Sequence, residues 1–247
     1  MSYNTFEEYN ILKTISIGDT KTGKSVFLDQ VSNGGEYIDY YQPTIGVELY
    51  SETYTISENR KVKLHMWDTA GNSCYKNLIE NYYINSQVVL VFFDMTRSIT
   101  FSNSIGWIDN FIEKKYNSKF STRKSIIILV GNKCETVENS IYEDRIKKLL
   151  KEKKIKIFFN ISVKYNINIE ELLNYIKNDC YYEFYNENIN RYYENIFGSN
   201  DNMNTKLIKN KNKNKNKNKL CNDGLCNDKF YKNKLCKDNK CLQCILL

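Results

Sequence analysis

The sequence predicts an α/β domain built on a six-stranded, mostly parallel sheet that is flanked by helices. Short apolar stretches typical of buried strands alternate with segments of helical periodicity along residues 9–180. This alternation is characteristic of a parallel sheet covered on both faces. The chain has 247 residues, of which 41% are hydrophobic, and this length suits one such domain with an appendage better than two domains.

The predicted elements follow in order along the chain. Strands are expected at residues 11–17, 48–56, 62–67, 88–94, 125–130 and 155–161. Helices are expected at residues 24–31, 74–83, 104–116, 142–150 and from 169 to about 197. The third helix carries Trp107 and Phe111 one turn apart, as an apolar helix face requires. Because ligands of such sheets bind at the carboxyl ends of the strands, we expect the functional site there.

Charge divides the chain into a domain of residues 1–197 and a tail of residues 198–247. The tail holds 12 lysines and 4 aspartates, whereas the whole chain carries +7, so the domain has a net charge of about −1. A domain without excess positive charge is not expected to bind nucleic acid. The Lys- and Asn-rich run at residues 209–219 cannot bury a core, and we expect a flexible, disordered basic tail.

Composition argues against several classes of protein. No apolar stretch is long enough to span a membrane, and the first residues lack the apolar core of a signal peptide. A single histidine, His65, argues against histidine-based catalysis or a histidine-rich metal site. Five of the eight cysteines lie in the last 27 residues, which is not the pattern of a secreted disulfide framework. We therefore expect a soluble cytosolic chain with an unusual end.

A phosphate-binding loop follows the first strand. Residues 18–25 match the pattern G-x-x-x-x-G-K-[ST] between a strand and a helix, a position that disfavours a chance match to a glycine-rich turn. Its backbone N–H groups would surround the β-phosphate, and Lys24 would carry charge to the β- and γ-oxygens. The residues expected at the phosphates are Asp19, Thr20, Lys21, Thr22, Gly23, Lys24, Ser25 and Val26.

Two further segments complete a predicted magnesium site. Thr44 follows the only proline of the chain, and Asp68 begins the sequence Asp-Thr-Ala-Gly that ends at Gly71. Mg²⁺ takes few protein oxygens, so the Ser25 and Thr44 hydroxyls together with Asp68, through water, form a suitable set. Gly71 would bring its N–H close to a γ-phosphate. A β-turn at the proline and a loop acid at residue 68 are the alternatives for each segment in isolation.

The base-binding end is predicted after the fifth and sixth strands. A carboxylate there, Glu135, would accept hydrogen bonds from N1–H and N2–H₂ of guanine, a donor pair that adenine lacks. Asn132 would tie the loops together, and the Lys133 stem would pack along the base. The remaining residues expected at the nucleotide are Tyr37 against the base edge and Ser162, Val163 and Lys164 after the sixth strand.

These motifs, in this order, resemble the small GTPases of the Ras superfamily, and within them the Rab family. The likeness covers about residues 9–180 and is most Rab-like at residues 45–48, 63–71, 82–83 and 90–96. It implies a P-loop NTPase G domain that binds GTP or GDP with Mg²⁺ and acts as a switch on vesicle or organelle membranes. It also implies catalytic roles for Lys24, Thr44 and Asn72. The implied partners are an exchange factor, a GTPase-activating protein, the prenylation machinery, a GDI-type chaperone, and effectors at the segments around Thr44 and Gly71.

Three positions depart from the family pattern. Asn72 stands where glutamine orients the attacking water, so we expect slow intrinsic hydrolysis that a GTPase-activating protein could still accelerate with its own Arg and Gln. Glu135 replaces aspartate, which could weaken guanine binding or shift the loop. Lys21 replaces glycine and would either add charge near the phosphates or point to solvent. A GTP-binding scaffold with negligible hydrolysis and an ATP-binding protein remain alternatives.

The chain ends Cys244-Ile245-Leu246-Leu247, a C-a-a-X sequence that predicts geranylgeranylation of Cys244, with Cys241 as a possible second lipid site. One lipid binds membranes marginally, and the lysine run would supply the additional attraction. We expect the cytoplasmic face of intracellular membranes, with a cytosolic pool. A zinc site is the alternative for the tail cysteines, although their spacing lacks paired C-x₂-C geometry.

Overall fold

Six strands form one sheet in the computed structural model, which describes residues 10–34, 37, 41–57, 60–117, 124–136, 142–153 and 155–185. The strands are β1 (Asn10–Gly18), β2 (Val47–Ser57), β3 (Arg60–Thr69), β4 (Val88–Asp94), β5 (Ile126–Asn132) and β6 (Ile157–Asn160). Their order across the sheet is β2-β3-β1-β4-β5-β6. β2 pairs antiparallel with β3, and the other neighbours pair in parallel. The predicted six-stranded, mostly parallel sheet is confirmed.

The sheet brings the ends of four strands to one edge. Ser16 of β1 pairs with Asp68 of β3, and Gly18 at the end of β1 pairs with Phe92 of β4. Asp94 at the end of β4 in turn pairs with Asn132 at the end of β5. These parallel registers place the segments that follow β1, β3, β4 and β5 side by side.

Helices flank this sheet, and the apolar core lies between the sheet and the helices that cover its faces. The helices are α1 (Lys24–Asn33), α2 (Lys76–Glu80), α3 (Ser98–Asn117), α4 (Glu143–Glu152) and α5 (Ile169–Asn174). The central strands β4 and β5 are buried along their whole length, as expected for strands covered on both faces. Aromatic rings join the layers, for example Phe27 of α1 with Phe92 of β4 at a centroid distance of 5.5 Å.

Helix α3 begins six residues earlier than the sequence predicts, at Ser98 instead of residue 104. The Thr100 hydroxyl lies within hydrogen-bond distance of three backbone groups, accepting from the Asp94 N–H and donating to the Asp94 and Arg97 carbonyls. These bonds fasten the first turn of the helix to the end of β4. Apolar periodicity could not reveal a start that depends on side-chain contacts with another element.

Two other helices also differ from their predictions. The helix predicted at 74–83 is a 3₁₀ turn at Ser73–Tyr75 followed by the short α2. α5 passes into a π-helical segment, Tyr175–Cys180, and residues 181–185 are α-helical again. The predicted continuation of this helix to residue 197 and the tail of residues 198–247 lie outside the described residues. Within the described ranges, no helix is long and apolar enough to cross a membrane.

Candidate functional site

The phosphate loop connects β1 to α1 and carries the buried Lys24, which is 5% exposed. Its ammonium donates to the carbonyl oxygens of Gly18 at 2.9 Å and Asp19 at 2.8 Å. Burial lowers the pKa of Lys24 to about 8, against the opposing influence of the carboxylates of Asp68 and Asp19. The amine is therefore mostly protonated at neutral pH and lies at the centre of the loop, as the motif predicts.

The buried carboxylate of Asp68 is the meeting point of three chain segments. Ser25 of α1 donates to Asp68 Oδ2 at 2.6 Å, and Thr44 donates to the same oxygen at 3.0 Å. The two hydroxyl oxygens are 2.6 Å apart. From the other side, Ser16 Oγ donates to Oδ1 at 3.2 Å. The three residues predicted to hold Mg²⁺ thus converge as a cluster of oxygen atoms, the ligand type that Mg²⁺ prefers.

The segments after Thr44 and after Asp68 are joined beside the phosphate loop. Ala70 N–H donates to the Gly46 carbonyl at 2.9 Å. A Cβ on Gly71 would collide with the backbone of Thr20 and Asp19, so only glycine fits this approach. The geometry places the Gly71 backbone directly against the loop, where we expected its N–H to approach a γ-phosphate.

Asn132 at the end of β5 links three loops through its buried amide. Its Nδ2 donates to the Thr22 carbonyl at 2.9 Å. Its Oδ1 accepts from the Lys133 N–H at 2.8 Å and from the Val163 N–H at 3.2 Å. A Cβ on Gly23 would collide with this same amide, so the glycine leaves room for the link. The sequence predicts that Asn132 ties the loops together, and these are the contacts that do so.

Glu135 and Lys133 lie in the loop after β5. One carboxylate oxygen of Glu135 is buried and has no hydrogen-bond partner among the described residues, an arrangement that is costly unless a donor is supplied. A guanine N1–H and N2–H₂ pair would be such a donor. Lys133 adopts a left-handed backbone with φ 65°, and its ammonium donates to Asp94 at 2.7 Å.

Asp94 joins this loop to the phosphate loop. Burial favours a higher pKa for its carboxyl, but hydrogen bonds from Lys133, Thr96 and Arg97 outweigh burial and hold the pKa below its usual value. Arg97 donates from its Nε to Asp94 at 2.9 Å and from another guanidinium nitrogen to the Thr20 carbonyl at 3.0 Å.

The remaining residues predicted to contact the nucleotide differ in how far they are buried. Ser162 and Val163 are buried after β6, whereas Lys164 is exposed, with its ammonium 6.0 Å from the centroid of the exposed Tyr37 ring. Val26 is half-buried on α1. The site thus brings the two loops that follow β5 and β6 together with Tyr37.

Asp19 uses its side chain in a way that sequence reasoning missed. Its carboxylate accepts from Trp107 Nε1 at 2.8 Å and from Asn103 Nδ2 at 2.7 Å, both on α3. The phosphate loop is therefore fastened to α3 as well as to Arg97. The one available signal was Trp107, whose indole N–H needs a partner when it is partly buried, but the motif pattern draws attention to the Asp19 backbone instead.

Lys21 has a left-handed backbone with φ 63° and an exposed side chain. Its ammonium lies 4.9 Å from the centroid of the Tyr41 ring. The exposed side chain agrees with the expectation that Lys21 points to solvent, whereas its contact with the Tyr41 ring was not predicted.

Asn72 caps the 3₁₀ turn that follows Gly71. Its side-chain oxygen accepts from the Cys74 N–H at 3.0 Å, while its backbone is extended, as is usual for a capping residue. The amide oxygen that would face a water molecule in a catalytic role is thereby bonded to the chain itself.

Several known proteins are similar to this chain in sequence. The family model described as the Ras family matches residues 13–182. The chain is 34% identical over 161 residues to the GTP-binding protein YPTM1 of Zea mays, covering 65% of this chain and 74% of the relative. It is 34% identical over 172 residues to the Ras-related protein RabT2 of Dictyostelium discoideum (68% and 75%) and 30% identical over 164 residues to Rab-19 of Homo sapiens (66% and 71%). The chain is a Rab-type member of the Ras family.

Family membership gives the general function. Small GTPases of this family bind guanine nucleotide, hydrolyse GTP and act as switches with regulators and effectors, and the Rab-named relatives suggest intracellular membranes. The predicted family is therefore confirmed, and the individual residue roles stay predictions.

Replacing Asn132 by alanine should lower the free energy of unfolding of the nucleotide-free protein by about 2–4 kcal/mol. The N–H groups of Lys133 and Val163 would lose their acceptor, and the Thr22 carbonyl would lose a donor. Urea denaturation measures the change. Asn174→Ala, on an exposed position of α5, is the matched control and should change stability by less than about 0.5 kcal/mol. Equal losses of unfolding free energy in the two variants would show that the hydrogen bonds of Asn132 to the three loops contribute nothing to stability.

Proposed function

We propose that this protein is a membrane-anchored GTP/GDP switch that regulates vesicle traffic, and that it hydrolyses GTP slowly. The observation that carries the nucleotide part is the cluster at Asp68. There the phosphate-loop helix, the Thr44 segment and the end of β3 supply three oxygens within 3.0 Å of one another. Ser25, Thr44 and Asp68 would hold Mg²⁺, which when bound neutralises charge on the β- and γ-phosphate oxygens.

Lys24 would stabilise the same phosphates from within the loop. Its ammonium already donates to two carbonyl oxygens of the loop, those of Gly18 and Asp19, and would donate its third proton to phosphate oxygens. Gly71 allows the segment after β3 to lie against the loop, so the Thr44 and Gly71 segments would both sense a γ-phosphate. Exchange factors, GTPase-activating proteins and effectors would bind to these two segments.

Selection of guanine would depend on Glu135. Its buried oxygen, which has no partner within the part of the chain that the structure describes, supports a role as acceptor of the two guanine donors, which adenine cannot supply. Asn132 and Lys133 hold the loop that carries it, through the Val163 backbone and through Asp94. These fixed bonds favour a carboxylate that is oriented before the base arrives.

Slow hydrolysis follows from Asn72. A side chain one methylene shorter than glutamine, whose oxygen is bonded to the Cys74 N–H, is poorly placed to orient an attacking water. The same observation favours a second candidate function, a GTP-binding effector scaffold with negligible hydrolysis. The two functions differ in whether hydrolysis can be restored.

Asn72→Gln should raise the single-turnover rate of GTP hydrolysis by about 10- to 100-fold. The longer side chain would carry its amide past the backbone N–H that holds Asn72 and towards the attacking water. A GTPase-activating protein that inserts its own Arg and Gln should accelerate the wild type as well. Rapid-quench measurement of phosphate release provides the rates. Asn77→Gln makes the same chemical change at an exposed position of α2 and should leave the rate unchanged.

If wild type and Asn72→Gln hydrolyse GTP equally slowly even with the activating protein, the slow-switch proposal is wrong and the scaffold function replaces it.

Membrane attachment is proposed from the C-terminal sequence, which lies outside the described residues. Cys244 would carry a geranylgeranyl group, Cys241 would be the site of a second lipid, and the basic tail of residues 198–247 would add attraction to an anionic leaflet. The prenylation machinery and a GDI-type chaperone would then deliver the protein to the cytoplasmic face of intracellular membranes and maintain a cytosolic pool.

Cys244→Ser should move the protein from the membrane fraction to the soluble fraction, because one basic tail without a lipid binds reversibly and weakly. Fractionation of cells expressing the tagged full-length chain measures the distribution. Cys221→Ser, another tail cysteine outside the C-a-a-X sequence, is the control and should remain membrane-bound. Retention of Cys244→Ser on membranes would contradict the anchor.

A further inference from the structure

Lys21 is unusual within the phosphate loop. Its backbone lies in the left-handed region at φ 63°, which a side chain disfavours and glycine accepts freely. A lysine kept at such a position suggests that its side chain contributes something that offsets the backbone strain. The side chain is exposed, so packing in the core is not that contribution.

The contact that Lys21 makes is with Tyr41. Its Nζ lies 4.9 Å from the ring centroid, within the distance at which an ammonium is attracted by an aromatic ring. Among the described residues, Lys21 forms no ion pair that would draw its ammonium elsewhere. The neighbouring Asp19 carboxylate is engaged by Trp107 and Asn103.

Tyr41 belongs to the segment that delivers Thr44 to the site. Thr44 follows three residues later and bonds to Ser25 and Asp68, and Gly46 accepts from the Ala70 N–H. The Lys21–Tyr41 contact therefore joins the start of this segment directly to the phosphate loop, whereas the other bonds hold its end.

We propose that Lys21 is a positioning residue which, through the Tyr41 ring, holds residues 41–46 closed over the nucleotide and slows its release. The inference rests on the proposed function, since it concerns how that same site retains guanine nucleotide. Opening of the whole segment would break the Lys21–Tyr41 contact as well as the bonds of Thr44 to Ser25 and Asp68. The loop itself stays in place because Asp19 and Thr20 are fastened to α3 and Arg97.

The test is the dissociation rate of a fluorescent GDP and of a fluorescent non-hydrolysable GTP analogue from the full-length protein, chased with excess unlabelled nucleotide. Lys21→Met and Tyr41→Leu should each accelerate release about two- to fivefold, the size expected for an exposed cation–π contact. The double variant should be no faster than either single variant. Tyr41→Phe keeps the ring and should retain the wild-type rate, and Lys148→Met, on an exposed position of α4, should also retain it.

A Lys21→Gly variant separates the side chain from the backbone. It relieves the left-handed strain, so it should unfold at a higher temperature than Lys21→Met while releasing nucleotide as fast as Lys21→Met. If Lys21→Gly unfolded at a higher temperature than Lys21→Met but released nucleotide as slowly as the wild type, the effect would belong to the backbone and the proposal would be overturned.

Two other results would overturn the inference. An unchanged rate in Lys21→Met, with nucleotide still bound, shows that the contact does not hold the segment. Additive accelerations in the double variant show that Lys21 acts on the phosphates without Tyr41. A wild type that retains no guanine nucleotide would instead overturn the proposed function itself, and this outcome is visible before any variant is made.

Discussion

The carboxylate of Asp68 is the interaction on which the rest of the site depends. It is fully buried at the end of β3, where burying a charge is costly unless hydrogen bonds compensate. Three hydroxyl donors supply that compensation, from Ser16, Ser25 and Thr44. Because these donors come from β1, α1 and the Thr44 segment, satisfying one carboxylate fixes the relative positions of three parts of the chain.

A second constraint acts at the other half of the site. The Asn132 amide satisfies the backbone of the phosphate loop and of the loop after β6. Asp94 receives Lys133 and Arg97, and Arg97 reaches the Thr20 carbonyl. The phosphate-binding and base-binding halves are therefore connected by hydrogen bonds, which are buried at Asn132 and partly buried at Asp94, so a change in one half is expected to disturb the other.

Much of this site could be predicted from the sequence because its motifs are short and act through the backbone. The phosphate loop, the Thr44 segment and the Asp68–Gly71 stretch each combine glycine and hydroxyl residues. Their role can be recognised from a few neighbouring residues, without knowing which distant residues they contact. The six-stranded, mostly parallel sheet followed from the alternation of apolar strands and helices, whereas the order of its strands was not predicted. In contrast, the early start of α3 depends on Thr100 reaching back to Asp94, and the π-helical segment of α5 gives no signal in apolar periodicity.

Side-chain partners across long sequence separations were the part that sequence reasoning could not supply. The Asp19 carboxylate meets residues of α3 more than 80 positions away, and Lys21 meets a ring 20 positions away across a loop. Asn72 was recognisable as a departure from glutamine, but its bond to the Cys74 N–H depends on the turn that follows. In each case the residue type permits several partners and only the folded geometry selects one.

Competition between GTP and ATP for the site tests the central claim most directly. With fluorescent GDP bound to the full-length protein in Mg²⁺, unlabelled GTP should displace it at a concentration at least about 100-fold lower than ATP, since adenine would leave the buried Glu135 oxygen without the donors that guanine supplies. Displacement by ATP at an equal or lower concentration would mean that Glu135 does not face the base, and the account of the protein as a guanine-nucleotide switch would be wrong.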